Sequence, residues 1–205
     1  MDAAQAMHPY ETLPLFGTGL ALGLALIGGH LLMLLRPEPV QKFLRRFPRN
    51  EKLGQILIGI GLVWFWLLVA KPGNGPLNAL AMDLGDQFNA AKPILRLAVP
   101  ALIILLSIAI KEFLAVRALG LLGLMVAAPL LESAFLKEPT SRLLIPIYTY
   151  AVIVASLYCV GMPYLFRDLI TWATAHQGRW RTLATAGLGY GIAVTACAFL
   201  FWRGY

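Results

Sequence analysis

A single histidine, His30, lies inside a long apolar run of this 205-residue chain, between about residues 13 and 35. An imidazole within a membrane can ligate a haem or a chlorophyll, or it can relay protons. A bis-histidine haem needs a second ligand, but His8 and His176 lie outside the apolar runs. The sequence therefore favours a histidine that hydrogen-bonds a neighbouring helix, with a pigment or haem at His30 as the alternative.

The apolar stretch from residue 93 to residue 135 contains five charged residues, Arg96, Lys111, Glu112, Arg117 and Glu132. Ionisable groups within a membrane are candidates for a solute or ion path, and Glu112, Arg117 and Glu132 form the candidate intramembrane polar site. The competing interpretation is structural. Glu112 and Arg117 then clamp a turn at the membrane surface, and Glu132 pairs with Arg96 or Arg142 at the opposite surface.

The segment from residue 36 to residue 52 carries six of the seventeen Lys and Arg residues. Its apolar side chains fall on one helical face: Val40, Phe43, Leu44 and Phe47. A short helix of this kind lies flat in the headgroup layer of anionic lipid in the cytoplasmic leaflet. The basic patch predicted to contact that lipid consists of Lys42, Arg45, Arg46 and Arg49. The net charge of +7 is thereby explained by membrane topology rather than by nucleic-acid binding.

The chain lacks the common catalytic and metal-binding motifs. It contains no phosphate loop, no HExxH, no GxSxG and no cluster of Cys and His, and its two cysteines, Cys159 and Cys197, both fall in apolar runs. A lipid-modifying enzyme with its site near Arg45, Arg46 and Glu112 is the least supported hypothesis, since no nucleophile or metal site accompanies these residues. We therefore predict no metal and no enzymatic activity.

The elements that must position these residues are membrane-spanning helices. The chain is 59% hydrophobic and 13% charged, whereas soluble domains carry roughly 25% charged residues. We predict an all-α, polytopic membrane helix bundle that forms one domain over residues 1–205. Six transmembrane helices are expected at about residues 13–35, 53–70, 94–110, 114–131, 143–166 and 182–202. With both termini outside, eleven of the seventeen Lys and Arg residues lie on the cytoplasmic side.

Further features predict how the spans are connected and packed. Short interfacial amphipathic helices are expected in the basic segment, in the outer connection near residues 76–88 and in the inner connection near residues 169–181. Pairs of small residues spaced four apart let helices approach closely. They are Gly19 with Gly23, Ala25 with Gly29, Gly123 with Ala127, and Gly187 with Gly191.

Three runs resemble an uncharacterised family of bacterial multi-pass inner-membrane proteins. They are FPRNEKLGQILIGIGLVWF, KEFLAVRALGLLGLMVAAPLLE and MPYLFRDLITW. The resemblance covers residues 40 to 170 or so. It implies a location in the bacterial cytoplasmic membrane, and it carries no activity to transfer.

Two hypotheses for function follow. The first is a structural or accessory integral-membrane subunit of a larger inner-membrane complex, because few polar groups lie within the spans and several small-residue faces are available for packing. An electron-transfer or photosynthetic assembly is one candidate for that complex, and other integral-membrane subunits are its expected partners. The second is a small solute or ion transporter or channel, with His30, Glu112, Arg117 and Glu132 lining its path.

Overall fold

The computed structural model describes residues 8–70, 80–109 and 112–205, and these residues form helices, turns and loops without any strand. The α-helices in these ranges are α1 (Leu15–Leu35), α2 (Pro37–Arg46), α3 (Glu51–Leu68), α4 (Asp86–Asn89), α5 (Lys92–Ala109), α6 (Leu114–Ala134), α7 (Leu144–Gly161), α8 (Tyr164–Thr174) and α9 (Gln177–Phe201). Short 3-10 turns at Phe47–Arg49 and Thr140–Leu143 precede α3 and α7.

Five helices in the described part of the chain are long and apolar enough to cross a membrane. They are α1, α3, α6, α9 and the helix at Thr140–Gly161 that includes α7. The prediction of an all-helical chain with several helices suited to crossing a membrane is therefore confirmed. The sixth predicted span, at about residues 94–110, coincides with α5, an 18-residue helix that contains Pro100 and is not one of these five.

Several helix boundaries differ from the predicted ones. α7 ends at Gly161 rather than near residue 166, because Pro163 follows and the residue before a proline is disfavoured in helical geometry. The inner surface helix is therefore Tyr164–Thr174 instead of residues 169–181. Residues 177–181 belong to α9, which begins at Gln177 and is 25 residues long.

The outer surface helix predicted near residues 76–88 is wrong where the chain is described. Residues 81–85 are not helical, and α4 is a single turn; residues 76–79 of this prediction lie outside the described residues. The Asp83 carboxylate accepts from the Gly85 backbone N–H at 2.9 Å and from Asn89 Nδ2 at 2.6 Å. The bond from Asn89 is the larger cause of the lowered pKa of Asp83. Such local side-chain bonds compete with helix formation.

Small residues hold α1 and α9 together as an antiparallel pair. Gly19 packs on the Trp202 ring, Gly23 packs on Thr195, and the Trp180 indole N–H donates to the Met33 carbonyl at 2.9 Å. A methyl group at Gly191 would lie 3.0 Å from the backbone nitrogen of Ile27. The predicted small-residue pairs Gly19–Gly23 and Gly187–Gly191 thus face each other across this contact.

Two further close contacts involve α6. It runs antiparallel to α7, and a methyl group at Gly120 would lie 2.7 Å from the Ser156 carbonyl oxygen. It also runs in the same direction as α3, because Gly54 packs on Ala115 near the start of both helices and Gly61 packs on Leu122 farther along. Glycine is required at Gly54 and Gly120, because the neighbouring backbone is too close for a side chain between the helices.

The bundle has two ends that are chemically different. At the terminal face, where α1 begins and α9 ends, Leu15, Ile145 and Trp202 form a fully buried cluster. The opposite end carries α2, α8 and the turn before α6, and we call it the basic face. There Phe47 and Val116 are buried with Phe166 packed against them.

Candidate functional site

The predicted basic patch lies on the basic face, and all four of its side chains are exposed. Their helix, α2, is fixed against α8 by Arg45, whose Nε donates to Thr174 Oγ1 at 3.0 Å and whose Nη2 donates to the Thr174 carbonyl at 3.2 Å. The Phe47 ring lies 5.8 Å from the Phe166 ring directly below. The basic patch therefore lies on a helix that is fixed in position by its contacts with α8. The amphipathic pattern of the sequence alone does not predict these contacts.

A pocket of about 430 Å³ opens between α2, α8 and the turn that precedes α6. Three arginine residues line it, Arg45, Arg49 and Arg167. The Arg167 guanidinium lies 6.0 Å from the centre of the Phe113 ring. It also pairs with the exposed Asp168 carboxylate at 2.9 Å. The pocket is basic, since the described residues that line it include three arginines and no carboxylate. The exposed Arg167–Asp168 ion pair contributes little energy.

Two residues of this pocket, Phe113 and Arg167, were absent from the predicted basic patch. Phe113 has a left-handed backbone with φ of 58°, and this conformation makes the tight turn without glycine or proline. The turn returns the chain so that α6 begins at Leu114 beside the Phe47 cluster. A signal was present in the sequence, because Arg167 falls in an inner connection with a second amphipathic helix on the side assigned to the basic segment.

The His30 ring lies in the contact between α1 and α9. Its Nδ1 donates to the Leu26 carbonyl one turn earlier at 2.7 Å, and its Nε2 packs against Gly187. In this geometry the imidazole fills the space beside Gly187 and forms its hydrogen bond within its own helix. A pigment or haem at His30 stays a prediction, and it requires the helix pair to open at Gly187.

The three residues of the predicted intramembrane polar site do not lie close to one another. Glu112 is exposed at the basic face, whereas Arg117 is half-buried in the first turn of α6 and Glu132 lies in its last turn. The rise of a helix separates Arg117 from Glu132 by about 22 Å. The one ion pair in residues 8–70, 80–109 and 112–205 is Arg167 with Asp168, so neither predicted pairing of these glutamates forms.

The Arg96 side chain lies instead over the Trp66 ring, with its guanidinium carbon 3.8 Å from the ring centre. This stacking joins the beginning of α5 to the end of α3. Cation–π contact of this kind is favourable near a membrane surface, where the charge is partly desolvated. It explains how Arg96 is accommodated without a carboxylate partner.

A second cavity, of about 330 Å³, lies between α3, α5 and α6. All of its lining residues are apolar, with Leu62, Val99 and Leu121 contributed by the three helices. Within the residues that the structure describes, no three His, Cys, Asp or Glu side chains are grouped to hold a metal ion. The free thiols of Cys159 and Cys197 are half-buried in α7 and α9.

No protein-family model, no curated protein and no solved structure matches this chain. The resemblance of residues 40–170 to a bacterial inner-membrane family stays a prediction.

Proposed function

We propose that this protein is a structural or accessory subunit of a larger complex in the bacterial inner membrane. In this proposal the chain crosses the membrane six times, its basic face lies in the cytoplasm and both termini lie outside. Its partners are other integral-membrane subunits, together with anionic lipid of the cytoplasmic leaflet. The resemblance of residues 40–170 to bacterial inner-membrane proteins gives the proposed location.

The parallel directions of α3 and α6 support a sixth crossing. Two helices that follow one another and run the same way need a return crossing between them. The 18 residues of α5 lie in that connection and run antiparallel to α3. Arg96 stacks on Trp66 at one end, and Ile108 and Gln55 line one pocket at the other. Eighteen residues rise about 27 Å as a helix, which is close to the hydrocarbon thickness of a bilayer.

The charge distribution supports a cytoplasmic position for the basic face. α2 and α8 lie together at this end of the bundle, with Arg45 and Arg167 lining one pocket. The start of α1 and the C-terminal residue lie at the opposite end, where the Phe16 backbone N–H donates to the Tyr205 carbonyl at 3.3 Å. Connections rich in Lys and Arg remain on the cytoplasmic side, so the termini are assigned to the outside.

The main observation for the subunit proposal is that three hydroxyl groups of the spans are hydrogen-bonded within their own helices. The hydroxyl of Thr149 donates to the Ile145 carbonyl at 2.8 Å, and that of Ser133 donates to the Leu130 carbonyl at 2.9 Å. Thr195 likewise donates to the Gly191 carbonyl at 2.8 Å. These groups are bonded within their own helices, and the cavity among α3, α5 and α6 is apolar. Such an interior suits a protein that packs against other subunits better than one that conducts ions or solutes.

One small-residue face of α1 supports packing against another protein. The pair Gly19–Gly23 is used inside the bundle, but Ala25 and Gly29 are exposed on the side of α1 opposite α9. A methyl group at Gly28 or Gly29 would have no neighbouring atom within 4 Å. We define the outward stripe as Ala21, Ala25, Gly28 and Gly29. In a membrane, faces of small residues allow a second helix to approach closely.

Extraction from the native membrane in mild detergent tests the proposal. We expect the chain to elute in a larger particle with other membrane proteins at fixed stoichiometry. The identities of those proteins would show in which cellular process the complex takes part. Elution as a lone monomer or homodimer would overturn the proposal. The visible absorption of the same particle, compared with that of a His30→Ala particle, tests whether the complex carries a pigment or haem at His30.

A transporter or channel is the second candidate, and one observation favours it. The Arg117 Nε is buried without a hydrogen-bond partner among the described residues. Intramembrane cations of this kind often lie on ion or substrate paths. A transporter predicts that Glu132→Gln abolishes flux in proteoliposomes while the protein stays folded. Flux equal to that of the wild type would remove this candidate.

A further inference from the structure

We propose that the pocket between α2 and α8 is a binding site for the phosphate of an anionic glycerophospholipid. This inference is independent of the proposed subunit function, since it concerns one lipid held in a defined place. It differs from the general attraction of a basic surface to anionic lipid. The main observation is that Arg45 and Arg49 from one segment and Arg167 from a distant one line a single pocket of about 430 Å³.

The guanidinium groups supply donors that suit a phosphate. Arg45 uses Nε and Nη2 to hold Thr174, which fixes its side chain and leaves Nη1 for a ligand. Arg167 is oriented by the Phe113 ring and by Asp168. Guanidinium forks bind phosphate oxygens with short, charge-assisted hydrogen bonds. A single phosphate in this pocket would neutralise charge that Asp168 alone does not balance.

The walls of the pocket favour a lipid over a soluble phosphate. Apolar side chains contribute much of the lining, among them Leu44, Pro48 and Ile170. A free anion gains nothing from such walls, whereas the glycerol and first acyl carbons of a lipid bury apolar surface against them. The volume falls within the roughly 300–1,000 Å³ of small-molecule pockets.

The position of the pocket also matches a headgroup. It lies at the basic face, next to the points where α3 and α6 begin, and the Phe43 ring beside it is half exposed. Helices that cross a bilayer begin at the level of the headgroups. A lipid whose phosphate sits among the arginines therefore has its acyl chains directed along the apolar faces of these helices.

The test uses the full-length protein in vesicles of phosphatidylglycerol and phosphatidylcholine, followed by native mass spectrometry of the lipid retained after detergent extraction. The wild type should retain phosphatidylglycerol in preference to phosphatidylcholine. Arg49→Gln and Arg167→Gln should each lower this preference by about tenfold or more, as expected for the loss of one charge-assisted bond. Size-exclusion elution and thermal unfolding show whether each variant is folded.

Arg181→Gln is the matched control. It removes one positive charge from the exposed start of α9 at the same end of the bundle, and Arg181 belongs neither to the basic patch nor to the lining of the pocket. We expect this variant to retain the preference of the wild type. An equal loss for Arg181→Gln and Arg49→Gln would show that only general surface charge attracts the lipid, and it would overturn the proposal. Complete displacement of the lipid by inorganic phosphate would also overturn it, because the site would then be one for a soluble anion.

Discussion

At the scale of single residues, glycines in this protein differ by what lies next to them. In α3, Gly54 lies against the backbone of α6, and a methyl group there would be 2.8 Å from the backbone nitrogen of Ala115. Gly59, five residues later, has no neighbouring atom within 4 Å of the same position. The sequence shows both glycines in one apolar run and gives no means of telling them apart, because the difference arises from the neighbouring helix.

This difference gives a matched pair of substitutions. Gly54→Ala should lower the free energy of unfolding by about 1–3 kcal/mol, since a backbone cannot move aside as a flexible side chain does. Gly59→Ala should leave it unchanged or raise it by about 0.5–1 kcal/mol through helix propensity. Thermal unfolding in detergent, followed by circular dichroism, measures both. Equal stabilities for the two variants would contradict the close contact of α3 with α6.

The contact of His30 with Gly187 gives a second prediction at this scale. Gly187→Ala places a methyl group against His30 Nε2 and should lower the free energy of unfolding by about 1–3 kcal/mol. In a His30→Ala background the same change should cost much less, because the imidazole is gone. The four proteins form a double-mutant cycle. Additive effects of the two substitutions would show that His30 does not pack on Gly187.

At the scale of elements, the sequence predicts the long helices and the basic surface helix α2 well, and the other short helices poorly. The apolar runs set the positions of α1, α3 and α6 to within a few residues, because twenty apolar residues have few other stable forms in a membrane. The surface helix α8 was misplaced because Pro163, and not the end of the apolar run, ends α7. The prediction of an outer helix was wrong because Asp83 and Asn89 form a local turn, which the hydrophobic periodicity does not reveal.

The crossing of α5 is the prediction at this scale. If α5 spans the membrane, Asp83 and Glu112, which flank it, lie on opposite sides. Single cysteines introduced as Asp83→Cys and Glu112→Cys, with Cys159 and Cys197 replaced by serine, test this in intact cells. A membrane-impermeant thiol reagent should label the first before permeabilisation and the second only after it. Labelling of both from the same side would contradict the six-span topology.

At the scale of the whole molecule, composition alone predicted a membrane helix bundle, but it did not predict the packing order. The pairing of α1 with α9 joins the two ends of the chain, and no local pattern indicates which small-residue faces meet. The sequence assigns Arg45 and Arg167 to the same side of the membrane, but it does not show that they share a pocket, since they are far apart in the chain. The structure also divides the small residues of α1 into a face used inside the bundle and the outward stripe.

The central claim is that the outward stripe packs against another membrane subunit. The measurement is the mass of the particle extracted from native membranes for the wild type, Gly29→Leu and Gly189→Leu. Both glycines have open space beside them, so both variants should fold. Gly29→Leu should reduce the share of the chain in the larger particle by about tenfold or more, since a bulky residue prevents close helix approach. Gly189→Leu, on the side of α9 that faces away from α1, should leave that share unchanged. A large particle that survives Gly29→Leu intact, or a wild type that elutes alone, would contradict the claim.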